Sequence, residues 1–76
     1  MAVKAYMLIQ TEVGKMEVVE GVQKVEGVKC ADPVTGPYDI VATIEVPELD
    51  ALGSVLKQVH SISGIGRSTT LIAMKF

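Results

Sequence analysis

Apolar positions dominate the first stretch of the chain, from Ala2 to Thr11, and its residues are β-prone. Ala5, Met7 and Ile9 fall on one side of an extended backbone and Tyr6 and Leu8 on the other, with Lys4 and Gln10 at the ends. Both sides are apolar, which predicts a strand covered on both faces. Gly14 breaks the pattern, and the period then changes. Met16, Val19 and Val22 recur three apart, with Val18, Val22 and Val25 beside them. Lys15, Glu17, Glu20, Gln23 and Lys24 take the opposite side. That spacing predicts a helix over Lys15 to Lys24, although the valines and Gly21 are poor helix formers. Gly27 to Thr35 reads as a second strand. Pro33 cannot donate to a ladder, so this strand belongs at a sheet edge or breaks there. Thr35-Gly36-Pro37 is a turn, with Gly36 supplying any positive φ. Tyr38 to Val46 is a third strand, with Tyr38, Ile40, Ala42, Ile44 and Val46 on one face and Asp39, Val41, Thr43 and Glu45 on the other. Pro47 ends it and can open the next helix, where Glu48 and Asp50 suit the helix dipole. Leu49, Leu52, Val55, Leu56 and Val59 form the apolar stripe of that helix, and Ser61-Ile62-Ser63-Gly64 follows it. A last strand runs from Ile65 to Phe76, with Leu71, Ile72, Ala73 and Met74 at its heart.

The order is β-α-β-β-α-β, an α+β ferredoxin-like arrangement in one domain spanning residues 1–76. Right-handed crossovers place both helices on one face of a four-stranded antiparallel sheet of order 4-1-3-2. Strands one and three are then central, and the proline-bearing second strand is at an edge. The helices cover only one face. The other carries Tyr6, Leu8, Val41 and Thr43, with an aliphatic pair from the last strand in either of its registers. A face this apolar marks an interface, and the expectation is a dimer formed sheet to sheet, a dimeric α/β barrel.

Size adds weight to that expectation. A domain of 76 residues buries only about 60% of the surface its unfolded chain exposes. Small folds add disulfides, a metal or a partner. Cys30 is the single cysteine and His60 the single histidine, so disulfides are excluded and a cysteine–histidine metal site is disfavoured. Association with further copies is left, and the 49% hydrophobic content fits it. The net charge of −2 offers no basic stripe for phosphates, so the expectation is no direct nucleic-acid contact. The amino terminus, Met-Ala-Val-Lys-Ala-Tyr, does not read as a signal peptide, and no run approaches the roughly 20 apolar residues of a membrane span. A soluble, cytoplasmic protein is the expected default.

Candidate chemistry is sparse. There is no tryptophan or asparagine, no CxxC pair and no Gly-rich phosphate loop. Paired aromatics of the kind that mark RNA-binding sheets are also missing. No cofactor or metal is implied. Cys30 reads as a small buried hydrophobe rather than a reactive thiol. His60, at the end of the second helix, reads as a capping or solvent-facing residue rather than a base or haem ligand. Arg67 reads as solvated, and Met1, Met7, Met16 and Met74 as core or interface filler.

Two polar constellations stand out: Gly36-Pro37-Tyr38-Asp39 and Gly64-Ile65-Gly66-Arg67-Ser68-Thr69-Thr70. With the run VTGPYDIVATIEV, the leucine-spaced helix and GIGRSTTLIAM, the chain resembles the effector-binding RAM domain of the Lrp/AsnC feast/famine regulators over nearly its whole length. That family's Gly-x-Tyr-Asp turn is matched by Gly36, Tyr38 and Asp39. Its Gly-Val and Thr-x-Thr pairs are filled by Gly64 with Ile65 and by Ser68 with Thr70, serine keeping the hydroxyl. Family members usually carry an amino-terminal helix-turn-helix. This chain opens at the first strand and is similar to the stand-alone form. The resemblance implies face-to-face dimers, a ring commonly of four of them, and a small effector, typically an amino acid, between dimers. It also implies transcriptional regulation exerted indirectly, with full-length regulators among the candidate partners, and no enzymatic activity.

The residues themselves leave Asp39 with two roles. It is the only acid in the two motif loops, so it can take an effector's ammonium. Backbone N–H groups near Gly36 or Gly64 would then take the carboxylate, and Ser68 and Thr70, two apart, would add hydroxyls from one face of the last strand. Equally, Asp39 can be a local acceptor that fixes its turn. Two other readings of the whole chain stand beside the effector module: a small dimeric α/β-barrel enzyme of the monooxygenase type, and an oligomerisation domain without a ligand.

Overall fold

The computed structural model describes residues 2–12 and 15–74. The break expected at Gly14 and the filler role of Met1 lie outside them, whereas the last strand, expected to run on to Phe76 with Ala73 and Met74 at its heart, ends at Ile72. Its elements are β1 (Val3–Thr11), α1 (Lys15–Gln23), β2 (Val28–Pro33), β3 (Ile40–Val46), α2 (Leu49–His60) and β4 (Ile65–Ile72). The sheet order is β2-β3-β1-β4 with every neighbour antiparallel, the expected order read from the other edge. β2 is an edge strand, and Pro33 closes it opposite Ile40.

The period-2 pattern fixes the faces. Ala5, Met7 and Ile9 pair with Ile44, Ala42 and Ile40, and all six are fully buried. The helices bring Val18, Val19 and Val22 from α1 and Leu52, Val55 and Val59 from α2 onto that face. Burial stabilises each of the larger aliphatic side chains by about 1.5–3 kcal/mol. Gly27 lets β2 start close under α2. Its φ is +100°, and a Cβ there would stand 2.7 Å from Val55 Cγ2. Its carbonyl accepts the Glu45 N–H at 3.0 Å.

On the other face, Tyr6, Leu8, Val41 and Thr43 are half-buried, and Leu71 is half exposed. Tyr6 lies opposite both Thr43 and Leu71, and Leu8 opposite both Val41 and Thr69. These residues form one continuous band across three strands, on the side away from the helices.

Several expectations are corrected. β3 begins at Ile40, so Tyr38 precedes the strand and does not share its core face. Pro47 does not open α2; Glu48 stands at its N-cap in extended conformation, without a side-chain cap bond. Leu49, counted in the apolar stripe, is 60% exposed because it starts the helix beyond the sheet's end. Met7 is core as expected, but Met16 and Met74 are exposed in the single chain. Cys30 is exposed rather than buried. It lies opposite Thr43 on the uncovered face of the edge strand, where no helix reaches it.

Candidate functional site

The turn between β2 and β3 lies at the sheet end where β1 finishes and β4 begins. Gly36 makes it possible with a φ of +131°, a region that side chains avoid. The turn is then tied to its surroundings from several sides. Asp39 N–H donates to the Ile9 carbonyl at 2.8 Å, and Val34 N–H donates to the Asp39 carbonyl at 2.8 Å. Gln10 Nε2 donates to the Pro37 carbonyl at 2.7 Å. Tyr38 Oη and Thr69 Oγ1 share a hydrogen bond of 2.8 Å that spans from the turn to β4 on the uncovered face.

The Asp39 carboxylate is the charged centre of this corner. Oδ2 accepts the Thr11 backbone N–H at 2.8 Å. Oδ1 stands 3.6 Å from Lys15 Nζ, and that ammonium also donates to the Val34 carbonyl at 3.2 Å. The Thr11 N–H, more than any other group, holds the Asp39 carboxyl below the ordinary carboxylate value. Partial desolvation opposes this, and the Lys15 charge supports it.

Gly64 and Ile65 reach the same end of the sheet. The Gly64 carbonyl accepts the Glu12 N–H at 2.9 Å, and Ile65 pairs with Thr11. Gly36, Tyr38 and Asp39 on one side of the end of β1, and Gly64 and Ile65 on the other, thus share one end of the sheet. Ser68 and Thr70 do share a face, but it is the helix side, opposite Ile9 and Met7. Ser68 Oγ lies 3.0 Å from Nε2 of His60, the exposed last residue of α2. The hydroxyl that meets Tyr38 belongs to Thr69 between them.

Lys15, Thr11, Gln10 and Thr69 are the residues that sequence reasoning missed. A signal for Lys15 exists: a lysine in the first turn of a helix opposes the helix dipole, which points to a partner elsewhere. Thr11 acts through its backbone and leaves no trace in the sequence.

Two open clefts lie at the opposite end of the sheet. One, of about 510 Å³, runs between α2 and the start of β2, with Glu26, Lys29, Glu45 and Gln58 at its rim over Val46 and Val55. The other, of about 470 Å³, is apolar and bounded by Val3, Tyr6, Leu49 and Ile72. Neither includes Asp39, whose corner is an open surface in the single chain. Among the described residues, no group of three or more His, Cys, Asp or Glu could hold a metal ion, and no helix is long and apolar enough to cross a membrane.

Known proteins place this architecture. The HTH-type transcriptional regulator FL11 of Pyrococcus abyssi is 33% identical over 72 residues, which are 93% of this chain and 48% of that protein. The chain thus spans about half the length of this curated relative. A solved protein from Thermus thermophilus superposes with a TM-score of 0.91 at 29% identity, over 97% of this chain and 95% of that one. A transcriptional regulator of Neisseria meningitidis, solved as its L-Met complex, shares the fold with a TM-score of 0.82 at 18% identity, over 96% of this chain and 50% of that one. The family described as the Lrp/AsnC ligand binding domain matches residues 4–76, and the chain belongs to that family.

Proposed function

We propose that the domain binds a small effector, an α-amino acid, at the Asp39 corner and acts as the sensing and assembling part of a transcriptional regulator. The observation that carries this reading is the Asp39 carboxylate. One oxygen is committed to the Thr11 N–H. The other faces Lys15 only at 3.6 Å, beyond hydrogen-bond distance, and retains capacity for an ammonium. Gly36 and Tyr38 from its own turn, and Gly64 and Ile65 beyond the end of β1, complete the proposed set at this end of the sheet. Ser68 and Thr70, half-buried on the helix side of β4, are the outer members of the proposed set.

In one chain the Asp39 side chain stays 35% exposed, and a second copy covers it in the assembly. The band of Tyr6, Leu8, Val41 and Thr43 pairs two sheets face to face in a dimer. Dimers assemble further into a ring, four dimers being the expected number, and effectors lie between them. Regulation is then indirect: the domain, at a net charge of −2, does not itself grip duplex DNA but works through its assembly with itself or with full-length family members.

The test is a thermal-shift screen against the common amino acids, with light scattering on the same samples. L-methionine is the first candidate because the Neisseria meningitidis regulator is solved with it. An amino acid that raises the melting temperature of an oligomeric protein supports the proposal. A monomer of 8.1 kDa indifferent to every amino acid contradicts it.

A further inference from the structure

Lys15 and Asp39 form an ion pair across a distance too long for a short direct hydrogen bond. Their charged atoms are 3.6 Å apart, and the side chains are 37% and 35% exposed. Backbone groups do the holding: the Thr11 N–H fixes Asp39 Oδ2 at 2.8 Å, and the Val34 carbonyl steers Lys15 Nζ at 3.2 Å. The result is a fixed, solvent-accessible dipole at the corner where the effector is placed.

An isolated carboxylate would welcome any amine. This one does not stand alone, because an incoming ammonium at Oδ1 meets the Lys15 charge close by. Like charges at such a distance are unfavourable, and a ligand offering only a cation must overcome that repulsion or displace Lys15. A ligand bearing a carboxylate next to its ammonium faces no such conflict. Its two charges match the pair head to tail, each ligand charge lying against the opposite charge of the protein, and both new contacts are charge-assisted.

We propose, resting on the effector reading above, that Lys15 receives the carboxylate of the amino acid whose ammonium Asp39 binds. Lys15 is then the residue that selects α-amino acids against simple amines and against amino acids with a blocked carboxyl group. This replaces the backbone N–H groups near Gly36 and Gly64 as the principal carboxylate partners. No covalent change or proton transfer is involved.

The experiment is calorimetric titration of the intact protein with two matched probes: the tightest-binding common amino acid, L-methionine first, and the same compound as its α-carboxamide. The native protein prefers the free acid by about tenfold, the effect of one partly exposed charge-assisted contact. Lys15→Gln brings the ratio to about one, and Lys15→Arg keeps the preference. Asp39→Asn weakens both probes. A native protein that binds the carboxamide as tightly as the acid overturns the inference without any variant. So does a preference that survives Lys15→Gln; if Asp39→Asn still weakens binding in that case, the effector reading stands alone and Lys15 is only an ion-pair partner. If Asp39→Asn changes neither affinity, or no common amino acid binds, the effector reading fails and this inference goes with it.

Discussion

The Asp39 carboxylate accepts the backbone N–H of Thr11 at 2.8 Å, joining the turn before β3 to the last residue of β1. Asp39 N–H donates to Ile9 in the same strand, so the residue bonds β1 through both its backbone and its side chain. The turn is consequently part of the sheet's end rather than a free loop, and the Asp39 charge is held in place by it.

This bond gives stability a defined acid dependence. The Asp39 carboxyl is held below the ordinary carboxylate value, chiefly by the Thr11 N–H. A depressed acid contributes stability that is fully present above its unfolded pKa and is lost as pH falls through its folded one. The contribution is therefore constant near neutrality, begins to fade at about pH 5 and is gone only below the ordinary range near 3.9. Urea unfolding of the native protein and of Asp39→Asn across that range checks it. The gap between the two should close as the solution is acidified; a gap that is constant from pH 7 to the acid limit contradicts the assignment.

Gly27→Ala tests the packing of β2 under α2. The substitution puts a Cβ 2.7 Å from Val55 Cγ2 at a φ of +100°. Strain of that kind costs about 1–3 kcal/mol, before any shift of Val55. Thermal unfolding of the variant should show a clear loss of that order, and an unchanged melting temperature would mean that Gly27 does not take this conformation.

Tyr38 and Thr69 act as a pair. Tyr38→Phe and Thr69→Val each remove one partner of the 2.8 Å bond, an exposed contact whose loss should cost about 0.5–1.5 kcal/mol. The double variant should cost scarcely more than either single one, because both remove the same bond. Simple additivity in denaturant unfolding would show that the bond contributes nothing in solution.

Much of the fold is legible in the sequence, and the reason is periodicity. The period-2 division of β1 and β3, apolar on both sides in β1, marks two central strands, and Pro33 settles which strand lies at the edge. The last strand is harder. Leu71, Ile72, Ala73 and Met74 are apolar on both faces, so the pattern gives no register, and the register decides that Thr69 rather than Ser68 or Thr70 meets Tyr38. Cys30 is misread for a related reason: a small apolar residue on an edge strand fits either face. The site's electrostatics are the least legible part. Lys15 and Asp39 come from different elements, and Thr11 contributes only a main-chain N–H, which no side-chain pattern records.

Val41→Lys tests the uncovered face. Val41 is half-buried there, between Leu8 and Asp32, and in a single chain a lysine can extend its ammonium into water. Between two packed sheets that charge would be buried without a partner. The variant should keep its circular dichroism and fall in mass by light scattering to the monomer. A variant with the native mass would place the interface elsewhere.

The central claim, that Asp39 binds the effector, is tested most directly by titrating the common amino acids into the native protein and into Asp39→Asn by calorimetry. Asparagine keeps an oxygen for the Thr11 N–H but has no charge for an ammonium. The expected result is saturable binding of at least one amino acid by the native protein, with an affinity about tenfold to a hundredfold weaker in the variant. Equal affinity in the two proteins would contradict the claim and leave Asp39 as a residue that only fastens its turn.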